Sequence, residues 1–144
     1  MGPPDSNIHG NVHGGIIMKL MDEAGASAAI RHASRSVVTV AVDQVLFIEP
    51  IHLGDLVTIH ANLTFVGRSS METRIDVTAQ NLRTGEQTHT NTAYFVYVAL
   101  DDHGRPVAVP PLLLETDRDR QEWEAAKARQ AYRLSQRAQR QRQA

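Results

Sequence analysis

The sequence contains no cysteine, and this absence excludes several kinds of chemistry. Without thiols the chain can form neither disulfides nor thiolate metal sites, and a cysteine nucleophile is excluded as well. No apolar run approaches the roughly 20 residues that a membrane-spanning helix needs. The first residues, Met1-Gly2-Pro3-Pro4-Asp5, lack the basic and apolar regions of a signal peptide. We therefore expect a cytoplasmic protein with no membrane partner.

An excess of charge of either sign is also absent. The chain has 15 lysines and arginines against 16 aspartates and glutamates, which gives a formal net charge of −1 at pH 7. The bulk charge therefore does not favour nucleic acid as a partner. With 144 residues, of which 42% are hydrophobic, the chain is long enough for one compact domain with its own core.

The most informative stretch is the glycine-rich segment 7–15, which opens a helix predicted over residues 14–32. Glycines let a ligand approach the backbone closely, and the first N–H groups of a helix have no partner within it. Asp22 lies about two turns into this helix, on the flank of an apolar stripe of Ile17, Leu20, Met21, Ala24 and Ala28. Donors and a carboxylate suit attack of water on a carbonyl group. A solvated acid beside Glu23 fits this pattern equally well.

The rest of the chain predicts an α+β fold, with a long helix packed on an antiparallel sheet. Small residues at Gly25, Ala26, Ala28 and Ala29 indicate that the sheet packs closely against the helix. Four strands are predicted from β-branched and alternating segments, and the last, with its continuous apolar run, is expected to be central. The first runs from residue 37 past Phe47 and ends at Glu49-Pro50, and the others span residues 56–66, 71–79 and 88–100.

A second helix is predicted from Glu115 onward, since this segment contains good helix formers and no breakers. From Lys127 to the end there are six basic residues and no acidic one. We expect the last dozen residues to be a solvated, fraying tail. The alternative is a basic arm near a phosphorylated ligand.

Several other kinds of site are not supported. His9 and His13 are spaced like two zinc ligands of a metalloprotease helix, but the glutamate of that motif is missing and Gly10 and Asn11 disfavour a helix there. No glycine-rich loop is followed by the Lys-Ser or Lys-Thr pair of a phosphate-binding loop. Ser69-Ser70 lacks the frame of a serine nucleophile elbow. We therefore expect no metal site, no nucleotide hydrolysis and no serine catalysis.

Four segments of the chain carry a family likeness when taken in order and at their spacing. They are Gly10-Asn11-Val12-His13-Gly14-Gly15 with Leu20-Met21-Asp22-Glu23-Ala24-Gly25; Val38-Thr39-Val40-Ala41-Val42-Asp43 with Phe47, Pro50-Ile51 and Gly54-Asp55; Val66-Gly67-Arg68-Ser69-Ser70-Met71; and Phe95-Val96-Tyr97-Val98-Ala99-Leu100-Asp101 with Gly104-Arg105-Pro106 and Val109-Pro110. Together they resemble the hotdog-fold acyl-CoA thioesterases, in particular the cytosolic (brain-type) acyl-CoA hydrolase branch. The likeness covers roughly residues 3–125.

The resemblance implies hydrolysis of the thioester of an acyl-CoA substrate, with no metal and no organic cofactor. It implies a homodimer whose two sheets join edge to edge with the active site at the interface, often assembled further into a trimer of dimers. The family's catalytic aspartate falls on Asp22, its active-site asparagine on Asn11, and the glycines that polarise the carbonyl on Gly14 and Gly15. The CoA-contacting segment falls on Gly67, Arg68, Ser69 and Ser70, with Arg105 as a weaker candidate.

Relatives in this family have a strand before the asparagine loop, whereas this chain begins almost at that loop, so we expect the first strand to be missing or truncated. Residues 1–114 are expected to form the hotdog domain, and residues 115–144 the C-terminal helix and tail.

Two other functions remain open. A hotdog hydratase or dehydratase would use a histidine–carboxylate pair, for which His13 is available, and a non-catalytic acyl-CoA sensor would only bind its ligand.

Overall fold

A computed structural model describes residues 1–43 and 45–144 of the chain. Helix α1 spans Gly14–Ala33 and is followed by strands β1 (Ser36–Val42), β2 (Leu56–Val66), β3 (Ser70–Gln80) and β4 (Gln87–Leu100), and then by helix α2 (Asp117–Gln143). The strands form one antiparallel sheet in the order β1-β4-β3-β2. The predicted α+β architecture and the central position of β4 are therefore confirmed. None of the helices in the described ranges combines the length and hydropathy that a membrane crossing requires.

Helix α1 packs on one face of the sheet through a line of buried residues spaced four apart: Ile17, Met21, Gly25, Ala29 and Ala33. The predicted stripe was centred one position away, because Leu20, Ala24 and Ala28 are only half-buried. A Cβ atom built on Gly25 would contact the Tyr97 hydroxyl and would lie 2.8 Å from Ile75 Cδ1 and 2.9 Å from Thr73 Oγ1. The helix therefore approaches β3 and β4 more closely than any side chain at position 25 would allow.

Strand β1, the first strand of this chain, is shorter than predicted. β1 ends at Val42, which is paired with Phe95, so the predicted continuation to Phe47 is wrong for residues 43 and 45–47, while Gln44 lies outside the described residues. The Asp43 N–H still donates to the Tyr94 carbonyl (3.0 Å). The chain then leaves the sheet, and the Phe47 ring packs 3.5 Å from where a Cβ atom of Gly14 would stand. A long-range contact with the start of the helix overrides the local strand propensity.

Helix α2 begins at a capping box, in which Thr116 accepts a hydrogen bond from the Asp119 N–H and Asp119 accepts one from the Thr116 N–H. It packs on the face of the sheet opposite α1. The rings of Trp123 and Phe65 lie 4.5 Å apart, and the Arg129 guanidinium stacks 3.7 Å from the centre of the Tyr94 ring.

A buried carboxylate anchors α2. Glu72 is 1% exposed and accepts hydrogen bonds from Thr64 Oγ1 (2.6 Å), from Arg129 (2.8 Å) and from Arg133. Arg133 also pairs with Asp43 (3.1 Å). The helix continues to Gln143. The expectation of a solvated, fraying tail is therefore wrong for Arg133, because complementary charges hold this residue against the sheet.

We predict that Gly25→Ala destabilises the protein. Alanine normally favours a helix interior by about 1 kcal/mol over glycine, but here the methyl group would overlap Ile75 and Thr73, and overpacking of a core costs about 1–3 kcal/mol. Thermal unfolding followed by circular dichroism should show a melting temperature several degrees lower. Ser27→Ala, on the exposed side of the same helix, is the control and should change little. An unchanged or higher melting temperature for Gly25→Ala would contradict the close approach.

Candidate active site

Asp22 lies at the boundary of the buried line of α1 and is half-buried. Its Oδ1 atom accepts a hydrogen bond from Thr39 Oγ1 (2.7 Å) and lies 3.1 Å from the Tyr97 hydroxyl, which is also 3.0 Å from the Asp22 carbonyl oxygen. No donor on Oδ2 is found among the described residues. The carboxylate is therefore oriented by neutral hydroxyl groups on one oxygen, and the other oxygen is available to a ligand. This geometry favours a functional role over a solvated acid.

The Tyr97 hydroxyl is a fixed donor at this site. Tyr97 is buried in the central strand, and burial together with the neighbouring Asp22 carboxylate raises the pKa of its hydroxyl far above the ordinary value of 10.0. Both effects disfavour the phenolate, because a negative charge would be poorly solvated and would face a second one. Tyr97 therefore stays protonated and donates over the whole physiological pH range.

The start of α1 supplies one free backbone donor. The ring nitrogen Nδ1 of His13 caps the helix by accepting the Gly15 N–H at 3.0 Å. The Gly14 N–H forms no hydrogen bond within the described part of the chain, and the Phe47 ring lies beside it. Of the two glycines predicted to polarise a carbonyl group, Gly14 has the free N–H, whereas that of Gly15 is already occupied.

The loop before α1 holds two asparagines in different ways. The Asn7 side-chain oxygen accepts the N–H groups of His9 (2.9 Å) and Asn11 (3.2 Å), and Gly10 supplies the positive φ of 79° that the turn requires. With its oxygen occupied, Asn7 can present only its NH₂ group as a donor. The Asn11 side chain makes no hydrogen bond to the described residues, although its backbone forms a bridge with His52.

The predicted CoA-binding residues lie at one end of the sheet. The turn between β2 and β3 is closed by the Gly67 N–H, which donates to the Ser70 carbonyl (2.8 Å), and the Arg68 carbonyl accepts the Val109 N–H (2.8 Å). The turn that carries Arg105 follows β4 at the same end, because Leu100 pairs with Ser36 and Val98 with Ser70. Both arginines are exposed. In the described structure no hydrogen bond connects this group to Asp22.

Sequence reasoning did not single out Thr39 or Tyr97. A signal for Thr39 exists, because it is the one polar residue in the apolar run 37–42 and lies in phase with Val37 on the inward face of the strand. Tyr97 had no such signal, since an aromatic residue in a central strand is ordinary core. Among residues 1–43 and 45–144, no three histidine, aspartate or glutamate side chains are arranged to hold a metal ion.

The sequence model of the Thioesterase superfamily matches residues 9–86, and the chain belongs to this family. It is 38% identical over 131 residues to the cytosolic acyl coenzyme A thioester hydrolase of Rattus norvegicus, which covers 90% of this chain and 34% of the rat protein. It thus spans about a third of the length of this mammalian relative. An uncharacterized acyl-CoA thioester hydrolase of Bacillus subtilis is 38% identical over 117 residues, 81% of this chain and 68% of that protein.

Solved structures agree with the fold. An apo-hexameric acyl-CoA thioesterase superposes with a TM-score of 0.90 at 36% identity, covering 96% of this chain and 88% of that chain. An acyl-CoA hydrolase from Staphylococcus aureus, solved with butyryl coenzyme A, coenzyme A and coenzyme A disulfide, has a TM-score of 0.89 at 32% identity and covers 99% and 87%. Other structures of the Staphylococcus enzyme carry single alanine substitutions of an aspartate, an asparagine and a threonine. The predicted family and hotdog fold are confirmed.

We predict that Tyr97 makes the protein sensitive to alkaline pH. A group whose pKa is raised on folding contributes stability that is complete below its unfolded pKa, here about 10, and is lost as the pH rises further. Urea unfolding from about pH 8 to about pH 11 should therefore show that the free energy of unfolding of the wild type falls above about pH 10. Tyr97→Phe should be less stable near pH 8 but should lose stability less steeply above pH 10. Tyr132→Phe, at an exposed position, is the control. Parallel curves for wild type and Tyr97→Phe would contradict the assignment.

Proposed function

We propose that the protein is an acyl-CoA thioester hydrolase, which converts an acyl-CoA and water to a free acid and CoA. The observation that carries the proposal is the Asp22 carboxylate, held on Oδ1 by two hydroxyl groups with Oδ2 available. The names of the Rattus, Bacillus and Staphylococcus relatives support the same reaction. No metal or organic cofactor is needed, because a thiolate is a good leaving group and requires no strong acid to expel it.

Asp22 acts as the base or nucleophile in this reaction. As a general base, its Oδ2 atom takes a proton from water while the water oxygen forms a bond to the thioester carbon. As a nucleophile, Oδ2 would instead attack the carbon directly and form an anhydride that water then hydrolyses. In both routes the carbonyl electron pair moves onto oxygen, and collapse of that intermediate breaks the carbon–sulfur bond. Thr39 and Tyr97 are positioning residues, because they act through Asp22.

The negative charge on the carbonyl oxygen is stabilised by the start of α1. The free Gly14 N–H is the first donor to this oxygen, and the helix dipole adds to its effect. The Gly15 N–H can donate to the same oxygen only when its hydrogen bond to His13 Nδ1 is broken. Because His13 is engaged in this cap and the described partners of Asp22 are hydroxyls and not histidine, the geometry does not favour a hydratase or dehydratase.

Asn7 is a second candidate, beside Asn11, for the active-site asparagine. In the Staphylococcus enzyme the substituted asparagine precedes the substituted aspartate by fifteen positions, and the substituted threonine follows that aspartate by seventeen. The same intervals from Asp22 reach Asn7 and Thr39, whereas Asn11 is closer to Asp22 than this spacing allows. The fixed NH₂ group of Asn7 suits a donor to water or to the carbonyl group. We therefore favour Asn7 over Asn11.

The active molecule is proposed to be a homodimer joined at β1, assembled further into a trimer of dimers. β1 is an edge strand, and an unpaired edge readily accepts another strand. Its outward side chains Val38, Val40 and Val42 are 43%, 54% and 42% exposed. Joining two copies here would bring the Thr39–Asp22 pair of each close to the interface. The hexameric state of the related thioesterase supports this assembly.

The nucleotide part of CoA is proposed to bind at Gly67, Arg68, Ser69 and Ser70, with help from Arg105. The guanidinium can grip a phosphate with two parallel hydrogen bonds, and the hydroxyls can donate to it. The Staphylococcus structure with coenzyme A supports a CoA ligand. A cytoplasmic location is part of the proposal and is supported by the name of the Rattus relative.

Asp22→Ala should lower turnover of an acyl-CoA by a factor of ~10²–10⁴, because loss of a general base typically has this effect. A chromogenic thiol reagent measures release of the CoA thiol from a panel of acyl-CoA substrates, and this assay tests the expected loss of turnover. The adjacent and exposed Glu23 gives a matched control, Glu23→Ala, which should retain turnover. An Asp22→Ala protein with near-normal turnover and melting temperature would rule out the role. A wild type that binds acyl-CoA without releasing thiol would be a sensor.

The two asparagines are separated by Asn7→Ala and Asn11→Ala. We expect Asn7→Ala to lower kcat by at least about tenfold with little change in the dissociation constant of CoA, since removing an oriented donor to the reacting oxygen costs roughly 1.4 kcal/mol or more. Asn11→Ala should have the smaller effect on kcat. Steady-state kinetics and calorimetry with CoA give both quantities. The reverse order of effects would return the role to Asn11.

Arg68→Ala should raise the KM for acyl-CoA several-fold with a smaller loss in kcat, because it removes a phosphate contact remote from the reacting atoms. The defect should shrink with a short pantetheine thioester, which lacks the nucleotide. Arg83→Ala, in the exposed turn between β3 and β4, is the control. If deletion of residues 135–144 raises the KM and Arg68→Ala does not, the phosphates bind the tail instead.

A further inference from the structure

Helix α2 lies on the outer face of the sheet, closest to β2 at its start, and its side chains reach toward the β1 edge. Its contacts follow the strand order, from Phe65 on β2 at Trp123, through Glu72 on β3 and Tyr94 on β4 at Arg129, to Asp43 beyond β1 at Arg133. Ten helical residues from 123 to 133 rise about 15 Å, and three interstrand spacings total about 14 Å. Arg133 contacts Glu72 on β3 as well as Asp43 beyond β1, so the helix approaches the β1 edge of the sheet at this residue.

Beyond Arg133, helix α2 makes few contacts with the rest of the described chain. Residues 134–143 are helical, and all are exposed except the half-buried Gln136. Among the described residues they form no hydrogen bond or ion pair to the sheet. Ten further residues extend about 15 Å beyond β1, which is the width of three more strands.

The side of the helix that faces the sheet can be followed past β1. At 100° per residue, Arg137 and Arg140 lie within about 40° of Arg133 around the helix axis, on the face that carries the buried Ala126. Arg142 lies on the opposite side, about 180° from Arg133. Two arginines of this segment therefore point toward the level of the sheet, and one points away from it.

We propose that residues 134–143 of α2 lie on the sheet of a second copy of this chain and hold the dimer together. This inference rests on the homodimer proposed above, joined at β1. A two-fold axis normal to the sheet keeps the helices of both copies on the same faces and makes the two β1 strands antiparallel. The protruding segment of each copy then lies over the outer face of the other.

Charge complementarity identifies the surface of the second copy that residues 134–143 contact. When two antiparallel β1 strands pair over their full length, Val42 of one copy stands opposite Ser36 of the other. Ser36 neighbours Leu100 within its own sheet, and the acidic pair Asp101-Asp102 follows directly. Asp102 is exposed and Asp101 is half-buried. The segment from 134 to 144 has three arginines and no acidic residue, so Arg137 and Arg140 face Asp102 of the second copy, in the turn that also carries Arg105.

Cross-linking tests this arrangement directly, because the chain has no cysteine of its own. Two double variants, Asp102→Cys/Arg140→Cys and Asp102→Cys/Arg142→Cys, are treated with a short bismaleimide and separated on a denaturing gel. The helix is about 10 Å across, so the first variant should give at least about fivefold more covalent dimer than the second. Equal yields from both variants would overturn the proposal.

Charge reversal gives a second readout. Arg140→Glu should raise the dimer dissociation constant about tenfold, because the changed contact occurs twice in a symmetric dimer. Arg142→Glu should leave it within about twofold. Sedimentation of diluted samples measures both. A monomeric wild type with full turnover would overturn the proposed homodimer itself. A dimeric wild type whose two variants behave alike would overturn only the role of α2, as would a raised KM for acyl-CoA in Arg140→Glu with an unchanged dimer.

Discussion

The close approach of α1 to the sheet at Gly25 is the constraint on which the candidate site depends. Only a residue without a side chain leaves room there for the Tyr97 hydroxyl, Ile75 and Thr73. Because the helix lies so near β4, the hydroxyl of Tyr97 reaches both the side chain and the carbonyl of Asp22. The close packing of the helix therefore also orients the carboxylate. A helix held further from the sheet would lose both the packing contacts and the hydrogen bonds from Tyr97.

Glu72 and Asp22, which lie on opposite faces of the sheet, have their carboxylates hydrogen-bonded in opposite ways. Glu72, on the outer face, is surrounded by a threonine and two arginines that occupy both of its oxygens, so its charge is compensated and serves to hold α2. Asp22, on the inner face, has only neutral donors, and both are on Oδ1. Compensation by guanidinium groups would leave Asp22 a poor base, whereas orientation by hydroxyls leaves its second oxygen usable.

Periodicity in the sequence was sufficient to predict the helices and strands but not the long-range contacts between them. The start of α1, its length to within one residue and the central place of β4 followed from local patterns. The end of β1 did not, because Phe47 is drawn to the start of the helix by a contact that the strand pattern does not contain. Arg133 likewise read as part of a solvated tail, since nothing local to it indicates Glu72 or Asp43 as partners. Asp22 and Gly14 were candidates from their places on the helix together with the family resemblance, whereas the contact of Tyr97 with Asp22 is seen only in the packing.

The anchoring of α2 has a consequence for the order in which the molecule is completed during synthesis. Glu72 and Asp43 leave the ribosome long before the arginines that neutralise them, which belong to α2. Domains fold as their residues emerge, beginning with the N-terminal part, but a buried carboxylate without its partner is costly. The outer face of the sheet must therefore stay hydrated around Glu72 until α2 has been synthesised and has docked on it.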